Sequence, residues 1–315
     1  MKGSTAREHA KRSVWNTWGQ HVAVAAAYGA LYELTHYVSS AQFLLTAGLR
    51  LTFLLLLPIR FWPALVLGEG LPLIENAIIC APRFGVPWAI SASVPMVVLW
   101  MAVMKPIRLR WSVYKPDGHV RMGMILSAVL ACAIITAAST TLTVLAAMPM
   151  AAPGKWSETP IGEYFWAFLL GAYLGALTLT PVILAVYGRL RSLNGTALRI
   201  ETIIRSPLFQ ETVCWVVPAL IGLACLAEAT PNDTLREVAQ LSLVWPAVGL
   251  AWRHRWHGAA VGGMGASIAL AATAHGLLDP ATLQIQVVLA LVLSSALLVA
   301  ASVPVARAVS QPERS

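Results

Sequence analysis

A run of 19 residues without a charged side chain, Val287–Val305, constrains the fold of this 315-residue chain more than any other feature. Inside a bilayer only a helix or a closed barrel satisfies its own backbone hydrogen bonds. A helix needs about 20 apolar residues to cross the hydrocarbon layer, whereas a barrel strand alternates apolar and polar residues over about ten. The run is continuous rather than alternating, so it predicts a transmembrane helix.

The composition extends this prediction to the whole chain. Hydrophobic residues make up 58% and charged residues 11%, the latter less than half of the roughly 25% found in soluble domains. In so apolar a chain, the net charge of +8 does not indicate nucleic-acid binding. The four cysteines are scattered, which excludes a disulfide scaffold and a zinc ribbon. We therefore expect an all-α, polytopic helical membrane protein whose surroundings are the lipid bilayer.

Ten apolar segments, separated by charged or turn-forming residues, are candidate transmembrane helices. The second and eighth are short, so eight or nine spans are the alternative count. The segments cover residues 21–38, 42–58, 61–80, 86–104, 122–148, 164–187, 212–228, 237–252, 257–275 and 283–306. On this division residues 1–20 are an N-terminal tail, 21–306 the transmembrane domain and 307–315 a short C-terminal tail.

The loop charges give these spans an orientation. Basic residues accumulate in cytoplasmic loops, and ten alternating spans with the N-terminus inside place 18 of the 22 lysines and arginines on the cytoplasmic side. Three fall in outer loops, and Arg50 alone falls inside a span. Both termini are therefore predicted to be cytoplasmic. The longest polar stretches, 105–121 and 188–211, lie on the same side and are candidate contacts for a partner.

Ionisable side chains inside a span are costly and mark functional sites or helix contacts. The first three spans hold six such groups or polar neighbours, namely Glu33, His36, Arg50, Glu69, Glu75 and Asn76. In one interpretation, Arg50 pairs with one of the glutamates and ties the helices together, because a buried charge needs a partner. In another, the cluster binds a small ligand or a proton, and His36 or a glutamate changes its protonation state. A third places Glu33 and His36 at the outer interface.

The sequence gives less support to haem binding, to a retinal Schiff base and to enzyme catalysis. Five histidines invite comparison with a haem protein; they are His21, His36, His254, His257 and His275. His254 and His257 fall in a basic turn and His275 at a span end, so we interpret them as interfacial residues and expect no cofactor and no metal. All lysines lie outside the spans, which excludes a retinal Schiff base. The sequence has no HExxH, GxSxG, Walker or strand-associated GxGxxG motif, and we predict no enzyme activity.

Two stretches resemble the MASE1 family of bacterial integral-membrane sensor domains. Thr46–Arg50 followed by Phe61–Glu69 is similar to the family's early pattern, which consists of W-P-x-G, a leucine run and W-P-x-x-x-x-G. Gly171–Pro181 is similar to its G-x-x-x-G-x-L-x-x-x-P segment. On the matching positions the family's structural signature would consist of Gly48, Trp62, Pro63, Gly68, Gly171, Gly175 and Pro181. The family's first Trp-Pro pair is absent, because Leu45-Thr46 stands in its place.

The resemblance implies an all-helical sensory domain of the bacterial inner membrane. Such domains usually precede a histidine kinase, a diguanylate cyclase or a cyclic-di-GMP phosphodiesterase, and we expect no output domain after Ser315. We therefore expect a multi-pass module that senses an unknown small molecule or a membrane condition, and then acts on a separate signalling protein or within a homo-oligomer.

Two other classes stay open. A small-solute or proton-coupled transporter is the first alternative. Transporters often have broken helices beside their binding sites, and this chain has prolines that would break helices as well as the intramembrane glutamates Glu69 and Glu75. These prolines are Pro58, Pro63, Pro72 and Pro181. A membrane-embedded lipid-modifying enzyme is the second alternative. It requires polar groups that converge at one interface, whereas the sequence concentrates them inside spans.

Overall fold

The computed structural model describes residues 2–114, 120–150, 160–192, 204–274, 276 and 278–302. In these residues the backbone is helical, with two isolated β-bridges and no β-strand. The predicted all-α class is confirmed.

The described residues form helices that we label α1 to α11. Their bounds are α1 Lys2–Val38, α2 Leu45–Leu56, α3 Trp62–Phe84, α4 Val86–Ala92, α5 Met96–Arg110, α6 Met122–Ala147, α7 Ile161–Ser192, α8 Pro207–Ala229, α9 Asp233–Ser242, α10 Val244–Ala272 and α11 Pro280–Ser302. A π-helical turn, Thr212–Val216, lies near the start of α8. Short 3-10 turns precede α3 (Ile59–Phe61) and follow α6 (Met148–Met150).

Six helical segments of the described chain are long and apolar enough to cross a membrane, judged by length and composition. They are Ile59–Phe84, Val86–Arg110, Met122–Ala147, Ile161–Leu190, Pro207–Ala229 and Pro280–Val299. Helix α2 is also apolar but has only 12 residues. These segments support a multi-pass helical membrane protein, and the count of ten spans stays a prediction.

Several boundaries differ from the predicted ones. Helix α1 is continuous from Lys2, so the backbone has no break at residue 20 between a tail and the first span. No proline interrupts residues 2–38, and the helix therefore continues through the polar part. The predicted span 237–252 contains the end of α9 and the start of α10, which meet at Leu243. The predicted tail 307–315 lies outside the described residues.

Helix α2 lies at the centre of the N-terminal half. Nine of its 12 residues are buried, and it packs against α7, α1, α5 and α6. Residues 39–44, which precede α2, are not helical, but neighbouring helices form hydrogen bonds with their backbone. The Leu44 N–H donates to the Gly171 carbonyl at 3.0 Å, and Gln286 Nε2 donates to the Gln42 carbonyl at 3.0 Å. Irregular backbone inside a membrane protein is tolerated where the protein buries and satisfies it.

Helix α10 folds back on itself at Arg255, whose φ of 55° and ψ of −140° are not helical. A Cβ atom placed on Gly262 would lie 2.8 Å from the Cα atom of Ala247. In a straight helix two residues so far apart in sequence would be separated by about 22 Å. Residues 244–254 and 256–272 are therefore antiparallel arms, as the predicted break between the eighth and ninth spans requires.

The bundle has two ends, defined here by residues that lie near them. Helices α1 and α3 run parallel, because His21 lies beside Arg60 and Gly29 lies beside Gly68. Helix α2 connects them in the opposite direction. We call the end where α1 stops the Ser39 end, and the end where α2 stops the Arg108 end.

Candidate functional site

A buried ion pair between Arg50 of α2 and Glu69 of α3 forms the centre of the candidate site. Arg50 Nε donates to Glu69 Oε2 at 2.9 Å, and its terminal NH2 group donates to Oε1 at 3.0 Å. This is the bidentate geometry in which a guanidinium and a carboxylate bind most strongly. Arg50 is 4% exposed and Glu69 is fully buried. Of the three glutamates considered from the sequence, Glu69 is therefore the partner of Arg50.

Two further donors complete the hydrogen bonding of the Glu69 carboxylate. The Tyr28 hydroxyl of α1 donates to Oε2 at 2.9 Å, and the Val97 backbone N–H at the start of α5 donates to Oε1 at 3.3 Å. Each oxygen thus accepts two hydrogen bonds. A buried carboxylate pays a large desolvation cost unless its acceptor sites are filled in this way.

Aromatic residues surround the Arg50 guanidinium on its other sides. Its carbon lies 5.0 Å from the centre of the Trp100 ring, a cation–π contact. The Trp100 indole donates to Thr136 Oγ1 of α6 at 3.2 Å, and the Tyr32 hydroxyl of α1 interacts with the guanidinium. One ion pair therefore connects α1, α2, α3, α5 and α6.

Glycines let the surrounding backbones approach closely enough to enclose the pair. A Cβ atom on Gly68, one residue before Glu69, would lie 2.5 Å from the Ala25 carbonyl oxygen of α1. A Cβ atom on Gly48, two residues before Arg50, would lie 2.5 Å from the Gly175 carbonyl oxygen of α7. Real side chains do not tolerate such contacts, so these crossings require glycine.

The GxxxG pair of α7 packs against the segment that leads into α2. A Cβ atom on Gly171 would overlap the Ala41 carbonyl, and one on Gly175 would overlap the Leu44 carbonyl. Farther along α7, Thr180 Oγ1 donates to the Gly48 carbonyl at 3.1 Å. The two sequence stretches that resemble MASE1 are therefore in direct contact in the fold.

The remaining residues of that signature begin or bend helices. Trp62 is buried at the start of α3, and Pro63 occupies the first turn of that helix, where the missing N–H costs nothing. Pro181 lies inside α7 and Pro72 inside α3, and both helices continue through them. The expectation that these two prolines break their helices was therefore wrong. A break does occur before α3, where Pro58 lies between α2 and the 3-10 turn.

Four of the six predicted ligand-binding residues lie away from the ion pair. Glu33 and His36 are exposed on the last turns of α1, and Glu75 and Asn76 are exposed on α3. The His36 ring stacks on the Tyr32 ring, with centres 5.9 Å apart and planes 8° apart. The sequence therefore predicted one cluster, whereas the structure divides it into a buried pair and two exposed surfaces.

Arg108 of α5 binds the C-terminus of α2. One of its guanidinium nitrogens lies 2.7 Å from the carbonyls of Leu54 and Leu55 and 2.9 Å from that of Leu57. The last carbonyls of a helix lack intrahelical partners and carry partial negative charge, which a cation satisfies. Helix α5 therefore binds two neighbours, Glu69 of α3 through Val97 and the end of α2 through Arg108.

Sequence reasoning did not identify Tyr28, Trp100 and Arg108 as parts of this site. Tyr28 and Tyr32 are four residues apart and so share one face of α1, a spacing that points two hydroxyls at one neighbour. Trp100 lies near the middle of the segment Val86–Arg110, away from the span ends where tryptophans are usually enriched. Arg108 gave no signal beyond its charge, because the carbonyls it binds lie more than 50 residues away in sequence.

A second group of charges, the turn cluster, consists of Glu211, Arg253 and His254. Glu211 of α8 lies 3.2 Å from Arg253 and 3.1 Å from His254, beside the turn of α10. Arg253 is 68% exposed and Glu211 30%, so solvent or lipid headgroups screen these charges. The histidine turn predicted from the sequence is present.

In the part of the chain that the structure describes, no group of three or more histidine, cysteine or acidic side chains is placed to hold a metal ion. The His21 ring nitrogens lie 2.8 Å from the Thr17 carbonyl and 3.0 Å from the Arg60 carbonyl. His275 lies outside the described residues. The ion pair can fix the positions of the helices that it joins.

Comparison with protein-family models, with curated proteins and with solved structures found no match to this chain.

Proposed function

We propose that this protein is a sensory or regulatory module of the bacterial inner membrane that resembles the MASE1 family. In this proposal about ten spans cross the membrane, both termini are cytoplasmic, and the Arg108 end faces the cytoplasm. The module senses a small molecule or a membrane condition and acts on a separate signalling protein of the kinase or cyclic-di-GMP type. One observation carries the proposal, a continuous series of contacts from the exposed end of α1 to the Arg108 end.

The series begins on the exposed surface of α1. His36 and Glu33 are accessible there, and His36 stacks on Tyr32. Tyr32 is 5% exposed, and its hydroxyl interacts with Arg50. A ligand that reorients His36 would therefore disturb a side chain in contact with the buried pair.

The series continues from the pair to the opposite end. Glu69 accepts a hydrogen bond from the first turn of α5 at Val97, and the same helix carries Arg108 about three turns later. Arg108 binds the end of α2, the helix that carries Arg50. A shift of α5 would therefore reach both positions, because α5 binds Glu69 of α3 at one and the end of α2 at the other.

A polar cavity at the Arg108 end supports an output there. Its volume is about 490 Å³, and its lining includes Arg108, Arg110, Tyr114 and Tyr187. It adjoins the predicted output loops 105–121 and 188–211, of which residues 115–119 and 193–203 lie outside the described residues. Basic and aromatic side chains of this kind are common in protein contacts.

Signalling by this route requires two arrangements of the helices. A ligand shifts the balance between them only if it binds one more tightly, and a shift from mostly one to mostly the other needs about 10⁴-fold preference. Spatial contiguity alone does not establish coupling. The proposal is therefore tested by its effect on an output.

The test begins with purification of the full chain in mild detergent and identification of the proteins that co-purify. We expect a kinase or a cyclic-di-GMP enzyme whose activity changes when His36→Ala or Glu33→Gln is introduced. Glu75→Gln is the matched control, since Glu75 is exposed on α3 and contacts neither Tyr32 nor the pair. An output that is identical in all variants would show that the exposed end of α1 is not the sensing surface.

Transport is the second candidate, and the path of residues 39–44 favours it. Non-helical backbone that enters the protein interior before a short helix is typical of transporters, and α2 is such a helix beside a buried acid. Reconstitution in proteoliposomes distinguishes the two functions. Uptake of a solute or proton that disappears in a Glu69→Gln variant of normal fold would favour transport over sensing.

A further inference from the structure

An apolar cavity lies between α7, α8 and α10, apart from the Arg50–Glu69 pair. Its volume is about 200 Å³. Its walls include Val182 and Ala185 of α7, Leu208 of α8, and Ala260 and Val261 of α10. Hydrocarbon is favoured in such a space, because each methylene group removed from water contributes favourably. Leu208 falls within the predicted output loop 188–211, but the inference below does not depend on the proposed signalling contacts.

The polar residues of this cavity lie at one end of it. Arg189 is one turn beyond Ala185 on α7, His257 is one turn before Val261 on α10, and Ser206 immediately precedes α8. All three positions are at the Arg108 end of their helices. Arg189 and His257 both line this end of the cavity. An apolar cavity with basic groups at one end matches a molecule that has an anionic headgroup and a hydrocarbon chain.

Two features suit entry from the membrane. Val186 and Phe209, which also line the cavity, are exposed to 47% and 39%, so the cavity opens on the side of the bundle. The π-helical turn that begins at Thr212 forms part of the wall, and such turns occur frequently at functional sites. Trp256 packs against the His257 ring, with centres 3.7 Å apart, and holds that side chain in place.

We propose that this cavity binds a single-chain anionic amphiphile. The carboxylate or phosphate headgroup lies between Arg189 and His257, and the alkyl or prenyl chain lies between the three helices. A cavity of about 200 Å³ leaves room for no more than one such chain. The Arg189 guanidinium selects against a neutral headgroup, because hydrogen bonds to ionised groups are stronger than those between neutral groups.

Binding is measured on the full chain in nanodiscs of neutral phosphatidylcholine, with radiolabelled dodecanoic acid, dodecyl phosphate and dodecanol as probes. We expect saturable binding of at least one of the two anions, and about tenfold weaker binding of the alcohol. A preference for the carboxylate identifies a fatty-acid type of ligand, and a preference for the phosphate identifies an alkyl or prenyl phosphate. Equal binding of all three probes would overturn the proposal, as would no saturable binding.

Variants of the cavity distinguish binding at this site from general partitioning of the probes into lipid. Ala185→Leu fills the cavity and is expected to weaken anion binding at least about tenfold. Ala219→Leu makes the same change on the exposed face of α8 and is expected to bind like the wild type. Arg189→Gln is expected to remove the preference for the anion, and His257→Gln is the second variant should Arg189→Gln fail to fold. Equal affinities of Ala185→Leu and Ala219→Leu would overturn the proposal.

Discussion

The Arg50–Glu69 pair and the turn cluster contain the same kinds of charge in opposite environments. The pair is almost fully buried, and each Glu69 oxygen accepts two hydrogen bonds. In the turn cluster, Glu211 and Arg253 are 30% and 68% exposed. An exposed ion pair contributes little to stability because water screens it. A buried one must be completely satisfied, since either charge alone is very unfavourable there. Burial rather than residue type therefore decides which cluster organises the fold.

Removal of the buried carboxylate is expected to have the largest effect on stability. Glu69→Gln leaves Arg50 charged and without its counter-ion, and we expect a loss of 3–5 kcal/mol, on the order observed for broken buried pairs. The measurement is unfolding of the detergent-solubilised protein in a titration with sodium dodecyl sulfate. Glu75→Gln, an exposed acid on the same helix, is the control and should leave the midpoint unchanged.

A double substitution separates the cost of the unpaired charge from the cost of the lost hydrogen bonds. Arg50→Met combined with Glu69→Leu removes both charges, and exchange of a buried pair for apolar residues is often neutral. We expect stability within about 1 kcal/mol of the wild type on that basis. A double variant as unstable as Glu69→Gln would mean that the hydrogen bonds to Tyr28 and Val97, not the missing counter-ion, dominate the cost.

The glycine contacts that enclose the pair give the next largest effect. Gly175→Ala forces a methyl group against the Leu44 carbonyl, and overpacking of this kind costs about 1–3 kcal/mol. Gly222 of α8 has no atom within 4 Å of the corresponding Cβ position. Gly222→Ala should therefore be neutral or slightly stabilising in the same titration, and equal losses in the two variants would contradict the close approach of α7.

The cap on α2 should have a smaller effect. Arg108→Gln removes a cation from three helix-terminal carbonyls, and such interactions contribute about 1 kcal/mol at partly exposed sites. Arg110→Gln makes the same chemical change two residues later, outside the cap. Hydrogen exchange of the last turn of α2 should increase only in the Arg108 variant. If both variants exchange alike, Arg108 does not hold that end.

The turn cluster gives the smallest expected effect. Glu211→Gln breaks contacts that solvent already screens, and we expect the unfolding midpoint to stay within experimental error. A shift as large as that of Glu69→Gln would show that the membrane interface excludes water from this cluster. The conclusion that the exposed charges contribute less to stability than the buried ones would then be wrong.

Much of the fold could be predicted from local sequence. The apolar segments predicted helices because a bilayer leaves few alternatives, and the basic turn at His254 predicted the reversal that Arg255 makes. The polarity of residues 1–20 predicted a tail outside the membrane, but polarity ends a span without ending a helix, so it did not predict where α1 begins. Pro72 and Pro181 wrongly predicted helix breaks, because a membrane helix can continue through a proline.

The candidate site was predictable only in part. A charge in a span requires a partner, which the sequence identifies as an acid in a neighbouring span. The choice among Glu33, Glu69 and Glu75 depends on which face of each helix points inward. Helical periodicity gave weak guidance there, because lipid-facing and buried faces are both apolar. Tyr28 and Val97 contact Glu69 from other helices, and no local sequence pattern predicts such contacts.

The sequence by itself determined a helical, multi-pass membrane protein, and it marked Arg50 as a residue that must be paired. These follow from the free energy of transfer to the bilayer, which acts on each segment separately. Only the tertiary structure decided that Glu69 is the partner, that α2 is enclosed, and that Arg189 and His257 meet beside an apolar cavity. Such choices depend on the close approach of helices distant in sequence, which packing alone fixes.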